Sequence, residues 1–171
     1  MIARAITLLA AILIGGGILA TGDARSADKA GHVYNKVGPA EITAALAELG
    51  FTTTPFTGRK DDTPELMGAV DGLNYSILFY RCDKKEGPHC TVYQYWAKFT
   101  GLSLTAEKIN EWNRDTWLAS AYLGADGAVR IVLTQRVEGG TTKANIASAM
   151  TDWREALKKF TAHIGFTKPA S

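Results

Sequence analysis

The stretch Glu107-Lys-Ile-Asn-Glu-Trp-Asn-Arg-Asp-Thr-Trp-Leu-Ala-Ser-Ala-Tyr-Leu123 constrains the fold of this chain more than any other. Ile109 and Trp112 stand three apart on a short helical face, Asn110 and Asn113 form a second such pair, and from Trp117 the pattern changes to alternation. That change of period predicts a helix running straight into a strand. Asn competes for backbone hydrogen bonds and is a mediocre helix former, so two within about two turns need a reason. Two reasons are open: the amides tether the joint, or they are presented to a ligand.

The start of the chain points to export. Arg4 precedes an apolar run from Ala5 to Ala20, and small and polar residues follow through Ala27. This is the layout of a secretory signal peptide over residues 1–27. The run is shorter than the roughly 20 residues of a membrane span, and an uncleaved N-terminal anchor is the alternative. The expected location is therefore periplasmic or secreted, with membrane contact only through the signal segment. Cys82 and Cys90, an even count in an exported chain, suggest one disulfide. A zinc site on Cys82, His89 and Cys90 lacks a fourth ligand nearby, and a redox pair would have closer spacing.

The formal charge of +2 is scattered, with Lys84-Lys85 and Lys158-Lys159 as the short basic runs. A near-neutral domain has no electrostatic footprint for nucleic acid. No phosphate loop, metalloprotease histidine pair or serine elbow is present, and His32, His89 and His163 have ordinary explanations. The adjacent carboxylates Asp61 and Asp62 read as a solvated turn. We expect no enzyme activity, no cofactor and no metal.

Along the exported chain, residues 28–38 read as a flexible leader that no core need involve. Pro39 to Gly50 follows as a helix with Ile42, Ala45, Leu46 and Leu49 on one face. Two short strands lie between Phe51 and Val70, and Leu73–Tyr80 and Thr91–Phe99 pair around the cystine loop. After the helix opened by Thr105, strands are expected over Trp117–Leu123 and Ala128–Val137, joined by Gly124-Ala-Asp-Gly127. Thr141 or Thr142 then caps a last helix. On it Ile146, Met150, Trp153, Leu157, Phe160 and Ile164 form a stripe that serves either a helix-on-sheet core or a dimer seam. The order α-β-β-β-β-α-β-β-α predicts an α+β fold, a single antiparallel sheet flanked by helices over 39–166, with 167–171 as a tail.

The candidate contact residues are aromatic and amide. Tyr93 and Tyr95 share one strand face, Trp96 lies on the other, and Trp112 and Trp117 bracket the joint with Asn110 and Asn113. Exposed, they would form a contact surface; buried, they would be core.

The segments Ile42 to Gly50-Phe51, Tyr75-Ser-Ile-Leu-Phe-Tyr80 with Cys82, Cys90 leading to Tyr93-Gln-Tyr95, Ile109-Asn-Glu-Trp-Asn113, Ala121-Tyr-Leu123 and Gly139-Gly140 before Trp153 resemble the YbjN-domain family, whose members are labelled bacterial sensory transduction regulators. The chain departs from the family pattern at Arg114-Asp-Thr-Trp-Leu, where a basic-aromatic pair is usual. The resemblance implies a fold similar to type III secretion chaperones, suited to dimerisation and to binding another polypeptide, and brings no catalytic site. The expected function is a non-enzymatic protein-interaction or regulatory module with a protein partner and a homodimer. The alternative is a small-ligand sensor whose pocket lies at the central joint.

Overall fold

A computed structural model describes residues 31–57, 63–83 and 87–167. The signal-peptide run, the Asp61-Asp62 turn, Lys84-Lys85 and the tail beyond Thr167 lie outside the described residues. The elements are α1 (Pro39–Ala47), β1 (Thr53–Phe56), β2 (Glu65–Val70), β3 (Leu73–Asp83), β4 (His89–Phe99), α2 (Ala106–Asp115), β5 (Ser120–Leu123), β6 (Val129–Arg136) and α3 (Lys143–His163). The element order and the α+β class match the sequence expectation.

Pro39 opens α1, and the Glu41 carboxylate accepts the Gly38 N–H at 2.8 Å, which satisfies one of the donors a helix start leaves over. The helix is stopped by Gly50, whose φ of 79° is the left-handed conformation glycine adopts at no steric cost. Phe51 N–H then returns to the Leu46 carbonyl at 3.1 Å. Ile42, Ala45 and Leu46 are buried as their spacing requires, but Leu49 lies past the last regular turn and is 43 % exposed.

The strands form one antiparallel sheet in the order β1-β2-β3-β4-β6-β5. The first four make a meander. Then α2 carries the chain to the far edge, so that β5 pairs outside β6. Register follows pleat: Leu66↔Ile77, Ile77↔Tyr95 and Tyr95↔Leu133 form one row on the inner face. Against that face lies α3, whose Ile146, Met150, Trp153, Leu157, Phe160 and Ile164 are all nearly or fully buried. The stripe is consumed within the chain and is not available as a dimer seam. Trp153 stacks on Tyr95 at 5.6 Å between ring centroids, and the Tyr75 ring lies so close over Gly68 that a Cβ there would meet it at 2.6 Å. The opposite face carries Met67, Tyr80, Trp96, Lys98, Thr134 and Tyr122, half-buried or exposed. A drier and a wetter side are thus present on β6 as expected.

Two expectations are corrected. The leader is not free of the core: Val37 is fully buried and exchanges two backbone hydrogen bonds with Cys90, at 2.9 and 2.8 Å, while Tyr34 pairs with Thr141. Val37 takes the side of β4 that β6 vacates after Arg136, because the chain bridges whatever strand edge would otherwise leave buried polar groups unpaired. The strand expected from Trp117 begins only at Ser120.

Candidate interaction site at the helix-strand joint

Thr105 caps α2, its side chain accepting the Lys108 N–H at 3.3 Å. Ile109 and Trp112 turn inward from this short helix, and the Trp112 ring meets Phe160 of α3 edge-on at 5.0 Å. Trp112 is also a polar anchor. Its indole Nε1–H donates to the Ala119 carbonyl at 2.9 Å. One residue on, Asn113 Nδ2 donates to the Ala121 carbonyl at 2.9 Å, and Asn113 Oδ1 accepts the Ala121 N–H at 2.8 Å. The amide therefore pairs with Ala121 as a neighbouring strand would. These are groups of β5 that face away from β6, so α2 covers the outward edge of the sheet's last strand. His163 fastens the other side of α2, its Nε2–H donating to the Lys108 carbonyl at 2.8 Å.

Between the two anchors, Trp112 to Ala119 and Asn113 to Ala121, the chain turns through Thr116, Trp117 and Leu118. Trp117 stands at the tip of this turn and is 89 % exposed. Its neighbours Arg114 and Asp115 bond to each other at 2.8 and 3.0 Å. This hydrogen-bonded pairing holds the Asp115 carboxyl below the usual carboxylate range and raises the Arg114 guanidinium. The loop thus presents an unpacked indole beside an ion pair already satisfied.

The residues singled out from the sequence separate into groups. Tyr93, Tyr95 and Trp112 are buried core at 1 %, 0 % and 3 % exposure. Burial pushes both tyrosine phenols well above their ordinary range, so they stay neutral. Asn113 is a structural clamp, while Asn110, one turn earlier, faces solvent. Trp117 is the member of the set that a partner can reach in full. With Tyr93, Tyr95 and Trp112 turned into the core, these three aromatics present no open face to a ligand at the joint. The bulk of Tyr93, Tyr95 and Trp112 is needed inside, where large aromatics contribute most.

Cys82 and Cys90 are cross-strand register partners of β3 and β4, joined as a disulfide. The sequence gives less warning of a cluster on the open face. Trp96 Nε1–H donates to the Tyr122 hydroxyl at 3.4 Å, and the Arg130 guanidinium lies over both rings at 6.0 and 5.9 Å. Asp126 fixes Arg130 with two bonds of 2.8 and 2.7 Å and also pairs with Lys98 at 2.9 Å, which holds its carboxyl far below the usual range. The alternation of β4 and β6 places these residues on one face, but only their register brings them together.

Comparison with known proteins gives one family match. The model of the YbjN family, described as "Putative bacterial sensory transduction regulator", matches residues 39–166. The chain belongs to the YbjN family. The match takes in every helix and strand from α1 to α3, and the joint lies well inside it. No curated protein matches the chain significantly. Within this YbjN domain, Ile109-Asn-Glu-Trp-Asn113 has a clear structural role, filling the core with Ile109 and Trp112 and sealing the edge of β5 with Asn113. Among the described residues no helix is long and apolar enough to cross a membrane, and the disulfide is consistent with an oxidising compartment.

Proposed function

We propose that this YbjN domain is an exported, non-enzymatic regulatory module that works by binding another polypeptide, with Trp117 as its principal contact. The observation that carries this reading is the 89 % exposure of Trp117 on a turn clamped at both ends. A bare indole on a turn whose two ends are fixed by hydrogen bonds offers a large amphipathic anchor to a partner, and little backbone order remains to be lost on binding. The family's regulatory label and the cystine fit a periplasmic module that passes on a signal by association.

The test is crosslinking capture of tagged mature protein in its own periplasm, comparing wild type with Trp117→Ala, alongside sedimentation of the purified protein. A partner, or a second copy of the chain, recovered with wild type and lost with an equally stable Trp117→Ala supports the proposal. Identical captures from both proteins would refute it.

A further inference from the structure

A second place on the domain is shaped for a small molecule, and it is far in sequence from the joint. The hairpin turn Asp71-Gly72 has φ of 50° and 75°, the paired left-handed conformation of a tight β-turn. It directs Asp71 toward α3, where Arg154 Nε and Nη2 each donate to its carboxylate at 2.7 Å. Beneath this bridge runs a groove of about 700 Å³ between the turn and α3, a size ordinary for small-ligand sites. Its floor is Val70 and Leu157, both nearly buried, with Leu73 and Phe166 as sides. Phe166 is held in place: its N–H donates to the Thr161 carbonyl at 2.9 Å, and its ring meets Phe99 at 4.9 Å.

The lip is charged, and most of that charge is already matched. Arg154 is occupied by Asp71, and Glu155 pairs with Lys159. Lys158, on the lip, forms no direct ion pair among the described residues, its charge reaching the Asp71 carboxylate only through space. One cation therefore overlooks a mostly apolar trough. The carboxylates of Asp71 and Glu155 stand at the same lip and would repel a second negative charge on any occupant.

We propose that this groove binds a monoanionic amphiphile of the fatty-acid type, its unbranched apolar body along Val70, Leu73, Leu157 and Phe166 and its carboxylate at Lys158. The proposal does not depend on Trp117, and the sensor function it implies would act beside the polypeptide contact.

The probe is decanoate, titrated below its micelle concentration into the full mature protein and followed by calorimetry and amide chemical shifts, with decanol as the uncharged comparison. Saturable one-to-one binding is expected, with shifts confined to residues 70–73 and 151–166. Lys158→Gln, a surface change that leaves the fold intact, should weaken decanoate about fivefold and leave decanol unchanged. Leu73→Asn should weaken both, and Trp117→Ala neither. The proposal is overturned if decanoate fails to bind, if wild type binds decanol as tightly as decanoate, if Lys158→Gln makes no difference, or if the shifts spread over the surface.

Discussion

Asn113 grips Ala121 by both of its backbone groups, the amide nitrogen donating to the carbonyl and the amide oxygen accepting the N–H, across eight residues of chain. A side chain stands in for a strand. The consequence is that β5, the last strand of the sheet, has its outward groups at Ala121 occupied and does not offer them to another chain. Asn113→Ala should lose about 1–2 kcal/mol, the net value of two hydrogen bonds. Asn113→Asp should cost at least as much at neutral pH, because its carboxylate has no proton to give the Ala121 carbonyl. Urea unfolding measures both. Sedimentation should add concentration-dependent association of the alanine variant, and a variant of wild-type stability would show that the amide contact is idle.

Trp112 and Trp117 lie five residues apart and should respond oppositely to truncation. Trp112→Ala removes a buried indole packed on Phe160 and should cost about 3–5 kcal/mol. Trp117→Ala removes a side chain that touches little and should change stability by less than about 0.5 kcal/mol. In fluorescence, Trp117 should account for most of the iodide-quenchable emission. Loss of that quenching in Trp112→Ala instead would reverse the assignment.

Much of this fold is legible in the amino-acid sequence, and the parts that are not share a cause. The α3 stripe is a periodic signal carried by local spacing, and the hairpin at Gly124-Ala-Asp-Gly127 is carried by turn chemistry. Both survive translation into structure because each depends on residues within a few turns of one another. The clamp of Asn113 on Ala121, the bridge of Val37 to Cys90 and the groove under Asp71 and Arg154 each join segments through the sheet's register, which no local period encodes. Trp117 reads as strand because Trp favours strands and the alternation begins there. Burial decides otherwise: Leu118 packs against the core and Ala119 is buried, while residue 117 stands in solvent on the turn between the two anchors. The departure from the family pattern at Arg114 to Leu118 is the clue within the sequence, since it falls on the exposed turn.

Cys82 and Cys90 close a short loop at the mouth of β3 and β4, and Cys90 is also the residue that holds Val37. Closing a loop of this size should contribute about 2.5 kcal/mol in the chain-entropy model. The Cys82→Ser, Cys90→Ser double variant should lose about that much in urea unfolding. It should also show faster hydrogen exchange at Val37 and Cys90 than in the centre of β4. Thiol labelling of denatured wild-type protein should find no free cysteine. Two reactive thiols in protein prepared without reductant would contradict the pairing.

The bridge between Asp71 and Arg154 makes a prediction with a definite sign. Hydrogen bonding from Arg154 holds the Asp71 carboxyl below the ordinary carboxylate range; desolvation opposes this, and the positive charges of Arg154 and Lys158 reinforce it. A folded-state pKa below the unfolded value of about 3.9 means that the linked stability is fully present above that value and is lost as pH falls through the folded pKa. In Arg154→Gln the Asp71 midpoint should therefore rise toward that of an exposed aspartate, read from its carboxyl carbon by NMR titration. The stability gap between wild type and variant should be present at neutral pH and close as Asp71 is protonated. Asp71→Asn keeps the left-handed turn, since Asn tolerates that conformation, and so separates loss of charge from loss of turn. An unchanged Asp71 midpoint in Arg154→Gln would show that the guanidinium does not set the carboxyl's charge.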